Sequence, residues 1–399
     1  MSLTPRGRTL LIVGAAFLAF GRTFALRELT MLGTGALAVP LLGAIAIWLR
    51  RGTVTVQRRV SPLRAPAGTE VRVDLTLTSE GSIGSSPLLV NEALPDVLGD
   101  DIRLTVDPGG RTRSVAYVFK PKLRGRYDLG PLELVNTDPF GAIVRTKPLE
   151  GTAPLIVYPS YEHLGGIPTG VQRLGAVRHS PRLGQGDEFY SLRPYETGDD
   201  LRRVHWTSSA KLGELVVRQD ELLGEPRAIV IVDTCASKHR GEGAEASIEA
   251  AVSACASVGV LALEKRIRLR VFSSDGPLVR SRRVTEPELM EALALLQPST
   301  RPSVVGMLEH VPPRQLLGAA LVIITPGLSQ QEMGALARFA HSATGGAIVH
   351  ILADTFAGGR RPAKEAAVSP LGLPIVRLAA GESLRQAWGA QVRDVPLAR

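Results

Sequence analysis

The first charge-free apolar run long enough to matter is Leu29 to Leu49, 21 residues. As a helix rising about 1.5 Å per residue it reaches roughly 31 Å, the thickness of a bilayer's hydrocarbon core. Gly33, Gly35, Pro40 and Gly43 are ordinary members of such helices, and Trp48 stands where an interfacial aromatic belongs. The run before it, Thr9 to Gly21, reaches span length only when extended to Leu26, with Arg22 snorkelling to the far interface. Residues 1–52 are therefore expected to form a transmembrane helical hairpin, with helices over about 9–26 and 29–49. A cleaved signal peptide with Arg6 and Arg8 as its basic start is the rival reading, but no convincing small-x-small cleavage site is seen before Glu28.

After Arg51 the apolar period drops to two. Thr53–Val60, Val71–Ser79, Arg113–Phe119, Leu132–Asn136 and Leu155–Tyr158 read as strands, separated by Pro, Gly and Ser clusters. An all-β, immunoglobulin-like sandwich is expected over 53–160. Asp138-Pro139-Phe140-Gly141 reads as turn chemistry with one aromatic plug. A connecting segment, 161–225, follows. From 226 to 399 continuous apolar strands (Ala228–Asp233, Ile267–Ser273, Leu321–Thr325, Ala347–Ala353, Pro374–Leu378) alternate with helical stretches (Ala244–Leu263, Glu286–Leu296, Gln330–Ala340, Glu382–Trp388). That alternation implies a doubly wound α/β domain. Ligands of such sheets bind at the carboxyl ends of strands, which singles out Asp233 and Thr325.

Charge refines this picture. The formal net charge is +9 over 399 residues. Residues 1–60 hold eight Arg and one acid, Glu28, and so carry +7, leaving +2 for the remainder. The basic excess flanks the apolar segments, and aromatics are only 5% of the chain, so a nucleic-acid partner is not expected. Arg6, Arg8, Arg50, Arg51, Arg58 and Arg59 lie at the near ends of the helices, whereas the turn has Arg22, Arg27 and Glu28. The positive-inside bias predicts a multi-pass protein of the cell membrane with its body in the cytoplasm. The two cysteines, Cys235 and Cys255, read as reduced core residues.

The densest chemistry lies between Asp187 and Arg218. Mixed acids and bases surround Tyr195, His205 and Trp206, which fits neither a nucleic-acid stripe nor a disordered tail. Asp199 and Asp200 read as a turn feeding a short helix, the arginines as bidentate partners of carboxylates, and the Tyr195 and Trp206 rings as buried. The segment reads as an ion-paired clasp between domains or as a docking surface. A hydrolytic site built from Asp187, Asp199 and His205 is the catalytic alternative, although no nucleophile with a base at fixed spacing is visible.

These residues resemble the signature of the domain of unknown function 58 family of bacterial membrane proteins. The matching positions are Gly186, Glu188, Phe189, Leu192, Arg193, Tyr195, Gly198, Asp199, Asp200, Arg202, Trp206, Ser209, Ala210, Gly213, Leu215, Val217 and Arg218, with Lys211 and Val204 in place of the usual Arg and Ile. Arg124-Gly125-Arg126-Tyr127, Gly130-Pro131, Asp138-Pro139-Phe140-Gly141 and Tyr158-Pro159 resemble further landmarks. The resemblance implies a C-terminal von Willebrand factor A-like domain and a MoxR-type AAA+ ATPase as partner. It also implies a metal-ion-dependent adhesion site of pattern D-x-S-x-S with a later Thr and Asp. Here Asp233 and Ser237 match, but Cys235 replaces a Ser and Pro326 follows Thr325 where Asp is usual. A thiol is a poor Mg²⁺ ligand, so no metal or other cofactor is expected at this degenerate site of Asp233, Ser237 and Thr325.

The leading expectation is thus a non-enzymatic, membrane-anchored interaction or scaffold protein acting in assembly or maturation of envelope components. Arg193, Tyr195, Gly198, Asp199, Asp200, Arg202, Trp206 and Arg218 are its candidate partner-binding or clasp residues. The alternatives are the hydrolase or metal-dependent enzyme above, and a structural envelope protein acting through its sandwich.

Overall fold

The computed structural model describes residues 1–49, 53–80, 88–107, 110–167, 190–195, 201, 204–220, 226–301, 319–340, 343–360, 369 and 371–393. The chain has a β-sheet-rich N-terminal region and a mixed α/β C-terminal part. It divides into two compact units: Met1–Ser160 with Glu242–Ala244 and Met290–Leu296, and Tyr161–Gly241 with Glu245–Leu289 and Gln297–Arg399.

The first unit begins with a two-residue strand, β1 (Ser2–Leu3), that runs straight into helix α1 (Pro5–Thr23). Thr4 is the N-cap, its hydroxyl accepting from Gly7 N at 3.1 Å, and Pro5 occupies the first helical position, where a missing N–H costs nothing. Phe24–Leu26 turn the chain into α2 (Arg27–Leu49). The first helix thus starts and stops earlier than the expected 9–26. Of the two, α2 is long and apolar enough to cross a membrane. The α1 helix carries Arg6, Arg8 and Arg22 within its 19 residues.

The helices pack antiparallel through their smallest residues. Gly7, Gly14 and Gly21 are the buried positions of α1; Gly33, Pro40, Gly43 and Ile47 are those of α2. A Cβ at Gly33 would lie 2.6 Å from Leu18 N and 2.8 Å from Gly14 O. The large side chains Ile12, Phe20, Phe24, Met31, Leu32, Leu41, Leu42 and Trp48 face outward and are exposed. Small residues inside and large apolar residues outside invert the arrangement of a helix pair in water.

Strands β2 (Thr53–Ser61), β3 (Arg64–Pro66), β4 (Val71–Glu80), β5 (Leu88–Glu92), β6 (Ile102–Val106), β7 (Thr112–Phe119), β8 (Gly125–Leu129), β9 (Leu132–Thr137), β10 (Ile143–Leu149) and β11 (Ala153–Tyr158) follow. They form sheets of order β1-β10-β9-β5-β6, β2-β4-β7 and β3-β11-β8. One core joins them, with Val71, Val73, Leu75 and Leu77 of β4 meeting Val90, Leu129, Leu132, Leu134, Leu155 and Val157. The alternation read at β4 is thus realised residue by residue.

Two readings in this unit need correction. Arg58 is not an interfacial charge: its side chain is 3% exposed and forks onto Glu92 at 2.7 and 2.8 Å. It also donates to the Leu129 and Gly151 carbonyls. Burial raises the Glu92 pKa, against the pull of Arg58. Phe140 is not a plug, being 55% exposed. The turn is held instead by the Asp138 carboxylate, which accepts from Phe140 N at 2.9 Å and Ile143 N at 2.5 Å. That carboxylate lies against Gly43, while Ala142 and Ile143 pack with Ile47, Leu10 and Ala44. Thr4 Oγ1 donates to Gly141 O at 2.6 Å. The loop between β9 and β10 is therefore seated on the base of the helix pair. Arg50 and Arg51 lie outside the described residues.

The second unit contains a hairpin of β12 (Tyr190–Pro194) and β13 (Val216–Asp220), with the short helix α3 (Trp206–Leu212) before β13. Its main sheet is built from β14 (Arg227–Val232), β15 (Arg268–Ser273), β16 (Gly276–Pro277), β17 (Ala319–Thr325), β18 (Gly345–Ile351) and β19 (Ile375–Leu378) in the order β16-β15-β14-β17-β18-β19. All neighbours are parallel except the edge strand β16. Helices α4 (Ser247–Glu264), α6 (Gln330–Ala340) and α7 (Leu384–Arg393) accompany it, while α5 (Glu286–Ala294) is divided between the two units at Met290. Ile229, Ile231, Leu321 and Ile323 pack with Ala335, Leu336 and Ala340 of α6. The alternate residues Ala228, Val230 and Val232 are equally buried, as expected of strands covered on both faces. The α4 helix is apolar enough to span a membrane, but 72% of its apolar window is buried, which marks a core helix.

Candidate functional site

The chain enters the sheet at β14, leaves on one side to β15 and returns on the other at β17. The topological switch point, where crevices open in such sheets, therefore lies between the carboxyl ends of β14 and β17. Asp233 follows β14 and Thr325 ends β17. The structure brings them together: Thr325 Oγ1 donates to Asp233 Oδ2 at 3.0 Å.

A 3₁₀ turn, Ala236–Lys238, lies just beyond Asp233. Ser299 braces the loop before it, accepting from Ala236 N at 2.9 Å and donating its own N–H to Thr234 O at 2.7 Å. The turn aims Lys238 back over the strand ends. Its Nζ lies 2.8 Å from Asp233 Oδ2 and 2.7 Å from Glu332 Oε1, with Gly327 O at 3.4 Å. Asp233 Oδ1 accepts from Cys235 N at 3.1 Å and from Ser274 Oγ at 3.3 Å. Both oxygens of this fully buried carboxylate are thus engaged.

Glu332 belongs to a capping box at the start of α6. Its Oε2 accepts from Ser329 N at 2.8 Å while Ser329 Oγ accepts from Glu332 N at 3.2 Å. One carboxylate oxygen caps the helix and the other holds Lys238. Burial opposes the lysine's charge, but the hydrogen bonds and attraction of Asp233 and Glu332 outweigh it and raise the pKa. Burial, and then the Asp233 charge, push the Cys235 thiol up to about 11. That thiol donates to the Arg301 carbonyl. Burial lowers the pKa of His239, whose Nε2 lies 2.9 Å from Asp233 O and Nδ1 3.0 Å from Ser247 Oγ. A cavity of about 280 Å³ opens beside the cluster, lined by Thr325, Gly327, Leu328, Met333, Ile348 and His350 among others.

Of the expected adhesion-site residues, Asp233 and Thr325 meet, but Ser237 does not join them. It is exposed, and its carbonyl accepts from Arg240 Nη1 at 2.8 Å. Lys238 and Ser274 contact the Asp233 carboxylate instead, and Glu332 joins through Lys238. Sequence reading missed all three. The pattern Ser329-x-x-Glu332 is a legible helix start, but nothing in it tells that its acid faces a lysine 94 positions earlier. Among the described residues no group of three or more His, Cys, Asp or Glu is placed to hold a metal ion.

In the signature segment, Gly198, Asp199, Asp200, Arg202 and Asp187 lie outside the described residues. The β-hairpin register sets Arg193 opposite Val217 and Arg218 opposite Leu192. Tyr195 is half-buried and its N–H donates to Leu215 O at 2.8 Å. Trp206 does not bury its ring and is 65% exposed. His205 caps α3: its Nδ1 accepts from Ser208 N at 3.2 Å and pairs with Ser208 Oγ at 2.8 Å.

Residues 191–350 match the family model described as "Protein of unknown function DUF58", less than half of the chain, which supports the DUF58 family. No curated protein matches. Two solved structures show distant likeness. A CARDB domain from Pyrococcus furiosus, described as in complex with di-metal ions, is 14% identical; the match covers 27% of this chain and 93% of that one, with a TM-score of 0.20. Cwp6 from Clostridium difficile is 8% identical over 74% of this chain and 41% of that one, with a TM-score of 0.18. Neither likeness carries an argument about fold or function.

Proposed function

We propose that this chain is a membrane-anchored, non-enzymatic interaction protein. In this reading α1 and α2 form a transmembrane hairpin and the β-rich part is an immunoglobulin-like sandwich seated on its cytoplasmic end. The α/β part is a von Willebrand factor A-like module that engages a cytoplasmic protein, a MoxR-type AAA+ ATPase, during assembly or maturation of envelope components.

The observation that carries the anchor is the inverted helix pair. Gly14, Gly21 and Gly33 are buried against the other helix while Ile12, Phe20, Met31, Leu32 and Leu42 are exposed. Water would drive those large side chains inward, whereas lipid has no reason to, and close glycine packing holds helices together there. With Arg58 removed from the count, Arg6, Arg8, Arg50, Arg51 and Arg59 still outnumber Arg22 and Arg27 at the opposite end, which supports the inside orientation of the body. An acid after the central strand and a threonine at the end of its neighbour, at the switch point, support the A-like reading. The use of His205 as a helix cap favours binding over hydrolysis.

Affinity purification of the full chain from detergent-solubilised membranes, with and without ATP, tests the partner. Co-purification of an AAA+ ATPase is expected, and its absence under both conditions would overturn the proposal.

A further inference from the structure

The adhesion site that the A-like reading implies requires a divalent cation among hard oxygen ligands at the strand ends. The residues present do not fit one. Both oxygens of the Asp233 carboxylate are already engaged, Oδ2 by Lys238 with Thr325 Oγ1 beside it and Oδ1 by Ser274 and the Cys235 N–H, and Ser237 is elsewhere. The Cys235 thiol is turned to a carbonyl. The space where a cation would balance Asp233 and Glu332 holds a positive charge already.

We propose that Lys238 is a built-in substitute for that cation, so that the face formed by the ends of β14 and β17 is assembled without metal. Three features point this way. The ammonium bridges carboxylates from two separate elements, the turn after β14 and the first turn of α6, at 2.8 and 2.7 Å. Both acids are almost wholly enclosed, with side chains 0% and 4% exposed, so neither can be left unpaired in water-free surroundings. Lys238 itself keeps 21% of its side chain exposed, at the rim where a bound ion would meet solvent or a partner. The carbonyl of Gly327, 3.4 Å from Nζ, adds a third oxygen around the same spot, and Thr325 Oγ1 lies 3.0 Å from the same Asp233 oxygen that Nζ contacts, so the surroundings are all oxygen. Without the ammonium, that shell is the ligand chemistry of Mg²⁺, Mn²⁺ or Ca²⁺. The native surface would therefore engage its partner in the presence of chelator. The inference deepens the A-like reading, but its test involves no partner and no membrane orientation, so each can fail separately.

The test is a Mn²⁺ and Mg²⁺ titration of the full chain in detergent, following thermal unfolding and, for Mn²⁺, the loss of the free-ion electron paramagnetic resonance signal. The wild type and K238R are expected to show no saturable binding and no metal-dependent shift in Tm. K238A is expected to unfold at lower temperature in EDTA, to bind one Mn²⁺ at least roughly tenfold more tightly than wild type, and to recover Tm with metal. K238A/E332Q should lose that recovery. If K238A does not accumulate as folded protein, K238Q, which keeps the length of the stem without its charge, is read in the same titration. Saturable one-to-one Mn²⁺ or Mg²⁺ binding by the wild type would overturn the proposal. So would a folded K238A or K238Q whose Tm and Mn²⁺ affinity match those of wild type.

Discussion

His239 ties the turn after β14 to the start of α4, and its partners fix its protonation. The Asp233 carbonyl can only accept, so Nε2 carries the proton, leaving Nδ1 to accept from the Ser247 hydroxyl. A second proton would turn both ring nitrogens into donors in a half-buried site, which agrees with the lowered pKa. The unfolded chain then binds the proton more readily, starting near the ordinary pKa of 6.5. The histidine's contribution to stability is therefore complete above that pH and declines as pH falls from it towards the folded value. Melting of the wild type is expected to drop between about pH 7.5 and 5.5 more steeply than melting of His239→Gln. Parallel pH profiles would contradict this. Asp233 and Thr325 were legible because continuous apolar strands end at them. Lys238 was not, since its role depends on a carboxylate 94 positions away and on a three-residue turn that no periodicity reports.

At the scale of elements, the strongest signals in the sequence became the most regular structure. The unbroken run after Leu29 is α2, the alternation at Val71–Leu77 is β4, and the continuous apolar strands are β14 and β17. The elements that escaped reading are the short or polar ones. β1 has two residues, too few for any period, and β12 and β13 mix charges with apolar positions. The seating of the Asp138 loop on Gly43 was likewise invisible, because it is a contact between segments about a hundred residues apart and rests on a missing side chain. The helix pair makes its own prediction. A methyl at Gly33 meets the α1 backbone, whereas one at Gly35 meets nothing within 4 Å. Gly33→Ala is expected to destabilise the detergent-solubilised protein by about 1–3 kcal/mol. Gly35→Ala is expected to be neutral, or stabilising by up to about 1 kcal/mol through helix propensity alone. Equal unfolding midpoints for the two variants would show that the glycine seam does not hold the helices together.

For the whole molecule, the central claim is that α1 and α2 cross a bilayer with the β-rich and α/β parts on the cytoplasmic side. The two native cysteines are buried, and burial pushes the Cys255 thiol up to about 12, so engineered thiols can be read against a low background. Two single variants suffice: Leu26→Cys in the turn between the helices, and Asp100→Cys on the β-rich body, both at exposed positions. The measurement is labelling of intact expressing cells with a membrane-impermeant maleimide, before and after permeabilisation. Leu26→Cys is expected to react in intact cells, and Asp100→Cys only once the membrane is opened. Labelling of Asp100→Cys from outside, with Leu26→Cys protected, would contradict this.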